Sequence, residues 1–411
     1  MYTIGNQDMK TEAIVNIDWN VRINDFCERM ANNMEYRNFE KLGVHTSLLG
    51  FGCMRFPLDK DGNIDEARSL EMLETAYNSG VNYYDTAYVY HGGKSEEFTG
   101  GFLDKKDRST YYLATKLPIW DVNSVADAKR IFEDQLSRLN KSYIDFYLLH
   151  SFNRESFDRM VSLGILKYMD QLKEEGKIKY LGFSFHDDYD AFEYIIGSRD
   201  WDFCQIQLNY MDAEHQAGIK GYNLATELGV PIIVMEPVKG GSIAKLPLNA
   251  TQIFDAIQPG KSPASWAIRW VASLPNVKVI LSGMSDLAQV KDNLDTINHF
   301  QPLIEKEYQA ISTVADILRH RVKNGCTGCS YCMPCPAGVD IPRSFSLWND
   351  YGRYENRGEM KWQWTFNFDE TKKAKNCIEC GQCEDACPQK LSIRNDLKSI
   401  QQEFDEIVQN A

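Results

Sequence analysis

Residues 144–184 read IDFYLLHSFNRESFDRMVSLGILKYMDQLKEEGKIKYLGFS, and this stretch decides the architecture of most of the chain. It opens on a short, mostly apolar run (144–149) and passes a polar loop. It then enters a stretch with helical periodicity (166–175), breaks at Gly176 and returns to an apolar run (178–184). A short run apolar on both faces suits a strand buried between layers, and the amphipathic stretch suits a helix covering it. The same unit recurs in both directions. Short runs stand at 48–52, 82–85, 111–115, 144–149, 178–184, 203–207, 232–235 and 277–281, with helical stretches such as 67–78, 125–139 and 214–228 between them. Gly80, Gly176, Gly229, Pro231 and Pro275 punctuate the joints. Eight βα units in about 250 residues predict a closed (β/α)8 TIM barrel. A doubly wound open sheet is the competing architecture. It expects G-x-G-x-x-G at the first strand–helix turn, and here Gly50-Phe51-Gly52 is followed by Cys-Met-Arg.

Around that core, 411 residues suit one large domain plus a smaller one. The barrel is expected over 34–301 and a second, mainly helical domain over 302–411, entered by a helix at about 302–323. Residues 1–33 carry no repeat and no targeting pattern. From Met34 the text MEYRNFEKLGVHTSLLGFGCMRFP reads as an entry hairpin and first strand. Residues 1–33 are therefore expected to be a loosely attached extension, or to precede a true start at Met34. A formal charge of −13 argues against nucleic acid or an anionic membrane as partner. No uninterrupted apolar stretch is long enough to span a bilayer.

The C-terminal region holds two cysteine runs. Cys326, Cys329, Cys332 and Cys335 precede Pro336; Cys377, Cys380, Cys383 and Cys387 precede Pro388. The second run has the C-x2-C-x2-C-x3-C-P spacing of an iron–sulfur loop. In such loops three close thiolates hold one cluster and the fourth reaches the other. Eight thiolates suit two [4Fe–4S] clusters. The first run is one residue short between Cys332 and Cys335, and crossed ligation is the expectation: Cys326, Cys329 and Cys332 with Cys387, and Cys377, Cys380 and Cys383 with Cys335. Paired C-x2-C knuckles also bind zinc, and two structural zinc sites are the alternative. Cys27, Cys53 and Cys204 are scattered and read as packing residues. Reduced thiolates without a targeting segment predict a cytoplasmic protein. The aromatic residues between the runs, from Phe345 to Phe368, read as packing around the clusters or against the barrel. The charged tail from Asn395 reads as a solvated helix.

Function in such a barrel sits where strands end. Strand two ends in Asp85, with Tyr90 five residues on; strand three ends in Lys116 and strand four in His150. A carbonyl that accepts hydride also needs a proton at its oxygen, and a phenol with pKa near 10 is a weak acid unless tuned. An ammonium at Lys116 would favour the phenolate of Tyr90 and lower that pKa. Asp85 would hold the lysine charged, and His150 could orient the carbonyl oxygen. Arg55 after strand one could meet an anionic substrate, although such an arginine is more often structural. His91 and His186 read as loop hydrogen-bonding residues.

These segments, YYDTAYVY around Asp85 and Tyr90, LATK at Lys116 and YLLH at His150, resemble the catalytic tetrad of the aldo-keto reductases. The resemblance runs over about residues 36–300. The two cysteine runs resemble the dicluster ferredoxin-type domain fused to one bacterial branch of that superfamily. It implies a nicotinamide coenzyme, NADP(H) or NAD(H). Ser184 and Gln205 would meet the carboxamide, with Phe185 standing where many members have asparagine. Lys239 and Gly240 would line the pyrophosphate loop, and Asn293 would contact adenine. Gly283 and Gln289 occupy positions where NADPH-preferring members place basic residues, which keeps NADH use open.

The expected function is hydride transfer between NAD(P)H and a small-molecule carbonyl or alcohol, with two clusters for electron transfer and a redox partner protein. The alternative is an electron-transfer or redox-sensing module using the barrel as a nucleotide-binding or docking platform. Hydride carries two electrons and a cluster takes one, so direct exchange needs a mediator such as a flavin, for which the sequence shows no motif.

Overall fold

The computed structural model describes residues 33–409. An antiparallel hairpin, β1 (Tyr36–Phe39) and β2 (Val44–Ser47), precedes eight parallel strands. These are β3 (Leu49–Gly52), β4 (Tyr83–Asp85), β5 (Tyr112–Leu117), β6 (Ile144–Phe152), β7 (Ile178–Phe185), β8 (Phe203–Gln207), β9 (Ile232–Met235) and β10 (Val277–Ser282). They follow one another around the sheet, and β10 closes on β3 with Ile280 opposite Leu49. The closed (β/α)8 barrel is present and the open sheet is excluded.

Side chains alternate between the barrel interior and the helix layer along each strand. Phe39 and Val44 of the hairpin join Tyr83, Ala114, Phe146, Leu148, Phe203, Ile233, Val279 and Leu281 in one buried cluster that fills the barrel. The intervening residues Tyr84, Leu113, Tyr147, Cys204, Val234 and Ile280 belong to the larger core beneath the helices. Glycine serves close approach at Gly182, where a Cβ would meet the Phe203 ring at 2.6 Å. Helix Val125–Leu139 shows how the outer layer is built. Ser124 accepts a bond from the Asp127 N–H at its start, Asn140 ends it in the left-handed region, and Ala128, Ile131, Phe132, Gln135 and Leu139 face inward.

Helix Glu305–His320, inside the expected 302–323 stretch, packs on the barrel side. Ile311, Val314 and Leu318 share a core with Tyr210, Phe254 and Trp266. A separate core then forms from helices Ile341–Tyr354, Arg357–Trp362 and Ile393–Gln409. Phe345, Trp348, Trp364 and Phe368 pack inside it, Tyr354 packs against the barrel side, and Trp362 and Phe366 are exposed. One expectation is corrected here. The C-terminal helix is not simply solvated: Ile393, Leu397, Ile400, Phe404 and Ile407 are buried, and Phe404 lies edge-on to Trp364 at 4.9 Å. Its charged residues hide an apolar stripe at helical spacing. The expectations for residues 1–32 and for Cys27 lie outside the described residues.

Candidate active site

The barrel's register places the mouth residues. Asp85 stands two positions beyond Tyr83, Lys116 two beyond Ala114, His150 two beyond Leu148 and Gln205 two beyond Phe203. A period of two lifts each into the next inward layer above the apolar plug. His150 lies within β6, which continues two residues past it and pairs Phe152 with Phe185 after a shift in register.

Lys116 is fully buried, with Nζ 2.6 Å from Asp85 Oδ1 and 2.7 Å from the Thr86 carbonyl oxygen. The same ammonium lies 5.0 Å from the centre of the Tyr90 ring. Burial disfavours the charge on Lys116, yet Asp85 and Tyr90 outweigh it and raise its pKa. Tyr90 differs from the sequence expectation. Lys116 does pull its pKa down, but burial is the larger effect and the net direction is upward. Burial, reinforced by the charge of Lys116, pushes His150 down to about 3, so its imidazole is neutral. Its ring stands 6.1 Å from that of Tyr90 and 5.0 Å from Trp120, which is 47% exposed and forms a lip over it.

Behind Lys116 lies a polar network that the sequence reading missed. Gln135 donates to the Lys116 carbonyl oxygen at 3.0 Å and to buried Glu96 at 2.8 Å, and accepts from the Tyr147 hydroxyl at 2.6 Å. Thr115 also donates to Glu96, and Arg138 reaches the other carboxylate oxygen at 3.6 Å. The signal was present: a glutamine on the buried stripe of a helix needs partners.

The other expected positions ring the same mouth. Ser184 accepts the Ser151 N–H at 2.7 Å, leaving its own proton to donate. Gln205 is buried, and its Oε1 has no protein partner. Phe185 is turned into the helix layer against Phe192. Lys239 is engaged: both Asp212 oxygens lie within 2.8 Å of its Nζ, and Gln207 and Asn209 also bond Asp212. Gly240 and Gly241 follow with φ of 61° and 98°. Asn293 donates to Ser282, and Gln289 closes on Ser285 and Asp286 at the start of its helix. His91 accepts the Phe56 N–H, the loop role expected of it.

The cysteines fall into two groups. One pocket is lined by Cys326, Cys329, Cys332 and Cys387; another by Cys335, Cys377, Cys380 and Cys383, and Cys332 lines both. The two runs repeat one turn, in which Cys326 Sγ accepts the Gly328 N–H and Cys377 Sγ accepts the Glu379 N–H, each at 3.4 Å. Cys53 and Cys204 are buried packing residues, as expected. Among the described residues no three His, Cys, Asp or Glu side chains converge as they would on a single ion.

Barrel, mouth and cysteine module together define a (β/α)8 oxidoreductase with a C-terminal iron–sulfur domain. The model of the aldo/keto reductase family matches residues 48–316, and that of the 4Fe-4S dicluster domain matches residues 325–391. The chain belongs to the aldo/keto reductase family. It is 25% identical over 312 residues to the oxidoreductase YqkF of Bacillus subtilis, covering 68% of this chain and 96% of that one. It is also 25% identical over 316 residues to L-galactose dehydrogenase of Arabidopsis thaliana, covering 71% and 96%. Among solved structures, the holo form of aldo-keto reductase AKR11C1 from Bacillus halodurans superposes with a TM-score of 0.58 at 26% identity. That match covers 68% of this chain and 96% of the other. No helix among the described residues is long and apolar enough to cross a membrane.

Proposed function

We propose that the barrel transfers hydride between NAD(P)H and a carbonyl or alcohol, with Tyr90 as the proton donor to the carbonyl oxygen. The observation that carries this reading is the buried Lys116–Asp85 pair set against the Tyr90 ring. Bound nicotinamide supplies the hydride, which the protein cannot make itself. The residues of the chain do the rest. Tyr90, held protonated by burial, gives its proton as charge develops on the carbonyl oxygen, and Lys116 stabilises the phenolate left behind. Neutral His150 donates a hydrogen bond to the same oxygen without competing as an acid. Trp120 covers His150 and offers an apolar wall to the body of the substrate. Ser184 and the unpartnered Oε1 of Gln205 suit a carboxamide, which needs both a donor and an acceptor.

The cysteine groups suit two [4Fe–4S] clusters with crossed ligation. Each pocket has three thiolates of one run and the last thiolate of the other on its wall. A cubane spreads four thiolates over four irons, whereas tetrahedral zinc gathers them onto one ion at about 2.3 Å. The third cysteine of each run and the C-x2-C-x2-C-x3-C-P spacing of the second favour the cubanes. Cys329 and Cys380 are exposed, which suits exchange of single electrons with an outside partner.

Tyr90→Phe tests the proton role. Carbonyl reduction should fall by roughly 10²- to 10⁴-fold, while the affinity for NADPH or NADH, read from coenzyme fluorescence, stays at the wild-type value. Retained turnover would overturn the assignment.

A further inference from the structure

We propose that Arg55 is the cation that binds the diphosphate of the coenzyme, and that Lys239 is not. The inference rests on the coenzyme reading above and goes beyond it in assigning a residue and a part of the ligand.

The loop after β3 is pinned on both sides of Arg55. The Cys53 N–H donates to the Asp85 carbonyl oxygen at 2.8 Å, and Ser95 donates to the Cys53 carbonyl oxygen at 2.8 Å. One residue past Arg55, the Phe56 N–H donates to His91 at 3.2 Å. Between these fixed points the arginine stem runs along Gly283. A Cβ built there would lie 3.2 to 3.4 Å from Arg55 Cγ, Cδ and Cβ. The guanidinium continues to Gly240, where Nη2 would stand 3.6 Å from an added Cβ. Strands β9, β10 and β3 are neighbours in the barrel, so Arg55 spans the loops that follow β10 and β9. The side chain thus turns toward the two glycine loops.

Charge decides which cation serves. Lys239 is closed on Asp212 at 2.7 and 2.8 Å, and that pair presents little net charge to an arriving anion. Arg55 is exposed, and among the described residues no carboxylate pairs with it. A guanidinium offers a diphosphate two parallel charge-assisted hydrogen bonds, which an ammonium already held by a carboxylate does not. In a chain carrying −13, a dinucleotide needs such a local cation against the general field. The role also accounts for glycine at 283, since a side chain there would press on the arginine stem.

The test is a set of binding titrations on the full-length, cluster-loaded protein, comparing wild type with Arg55→Gln and Arg55→Lys. ADP-ribose, 2′-AMP, NADPH and NADH serve as probes. Melting temperature and iron content check that each variant is folded. Arg55→Gln should weaken ADP-ribose and both coenzymes by about 10- to 100-fold. It should leave 2′-AMP unchanged, and Arg55→Lys should restore only part of the loss. Unchanged ADP-ribose affinity with a raised KM for a carboxylate-bearing carbonyl would overturn the proposal and assign Arg55 to the substrate. Loss of 2′-AMP affinity with ADP-ribose intact would overturn it in favour of the 2′-phosphate. If the wild type binds none of the four probes, the coenzyme reading itself falls, and the Arg55 assignment with it.

Discussion

Lys116 Nζ lies 2.6 Å from Asp85 Oδ1, with both side chains buried at the mouth of the barrel. Removing one member leaves the other charged and unpaired. Asp85→Ala should lower unfolding stability by about 3–5 kcal/mol in urea denaturation and abolish turnover. The double variant Asp85→Leu/Lys116→Met should recover much of the stability and none of the activity. Lys116 gains protons on folding because its pKa is raised from 10.5. Its contribution is therefore fully present at neutral pH and is lost only as pH rises through that raised value.

The neutral state of His150 has a kinetic signature. With its pKa pushed down to about 3, it does not titrate near 6.5. The rate of carbonyl reduction should therefore show no ionisation between roughly pH 5 and 9. It should fall only at alkaline pH, where Tyr90, raised above 10.0 by burial, loses the proton it must donate. His150→Ala should cost about 10²–10³-fold in kcat without adding a limb to the profile. A pH–rate profile of wild type and variant checks both points.

Crossed ligation predicts which half of the module each terminal cysteine supports. Cys387→Ser should disturb the cluster of Cys326, Cys329 and Cys332, and Cys335→Ser that of Cys377, Cys380 and Cys383. Each should lower the iron count from about eight toward about four. Since each link ties together runs about 50 residues apart, either loss should open both runs to limited proteolysis. Cleavage confined to the mutated run would support local ligation instead.

The buried stripe of the C-terminal helix predicts a packing cost. Phe404 is fully buried against Trp364. Phe404→Ala should destabilise the iron–sulfur domain by about 3–5 kcal/mol, visible as early loss of cluster absorbance on heating, with the barrel transition unmoved.

The barrel was legible because its strands are buried on both faces, so each reads as a continuous apolar run with little else to be. The runs at 203–207 and 232–235 coincide with β8 and β9. Strand β6 outlasts its apolar run because pairing resumes at Phe152 after a break in register at His150 and Ser151, which a hydropathy boundary does not register. Asp85, Lys116 and His150 were legible for the same reason: closure turns strand ends into one ring. The pairing of Lys239 with Asp212 was not, because it joins two loops 27 residues apart whose approach only the closed barrel defines. Nor was the balance at Tyr90, where the identity of the neighbours was readable and the depth of burial was not. The C-terminal helix was misread because its charges are plentiful and its apolar residues are spaced out along one face.

The account turns on hydride moving as a unit within the barrel. The most direct measurement is a single turnover with coenzyme carrying deuterium at the transferring position of nicotinamide, in the absence of oxygen, with the alcohol product read by mass spectrometry. The account predicts one deuterium on the former carbonyl carbon and unbleached clusters during the turnover. Product without deuterium, accompanied by cluster bleaching, would contradict it and make the barrel an entry point for single electrons.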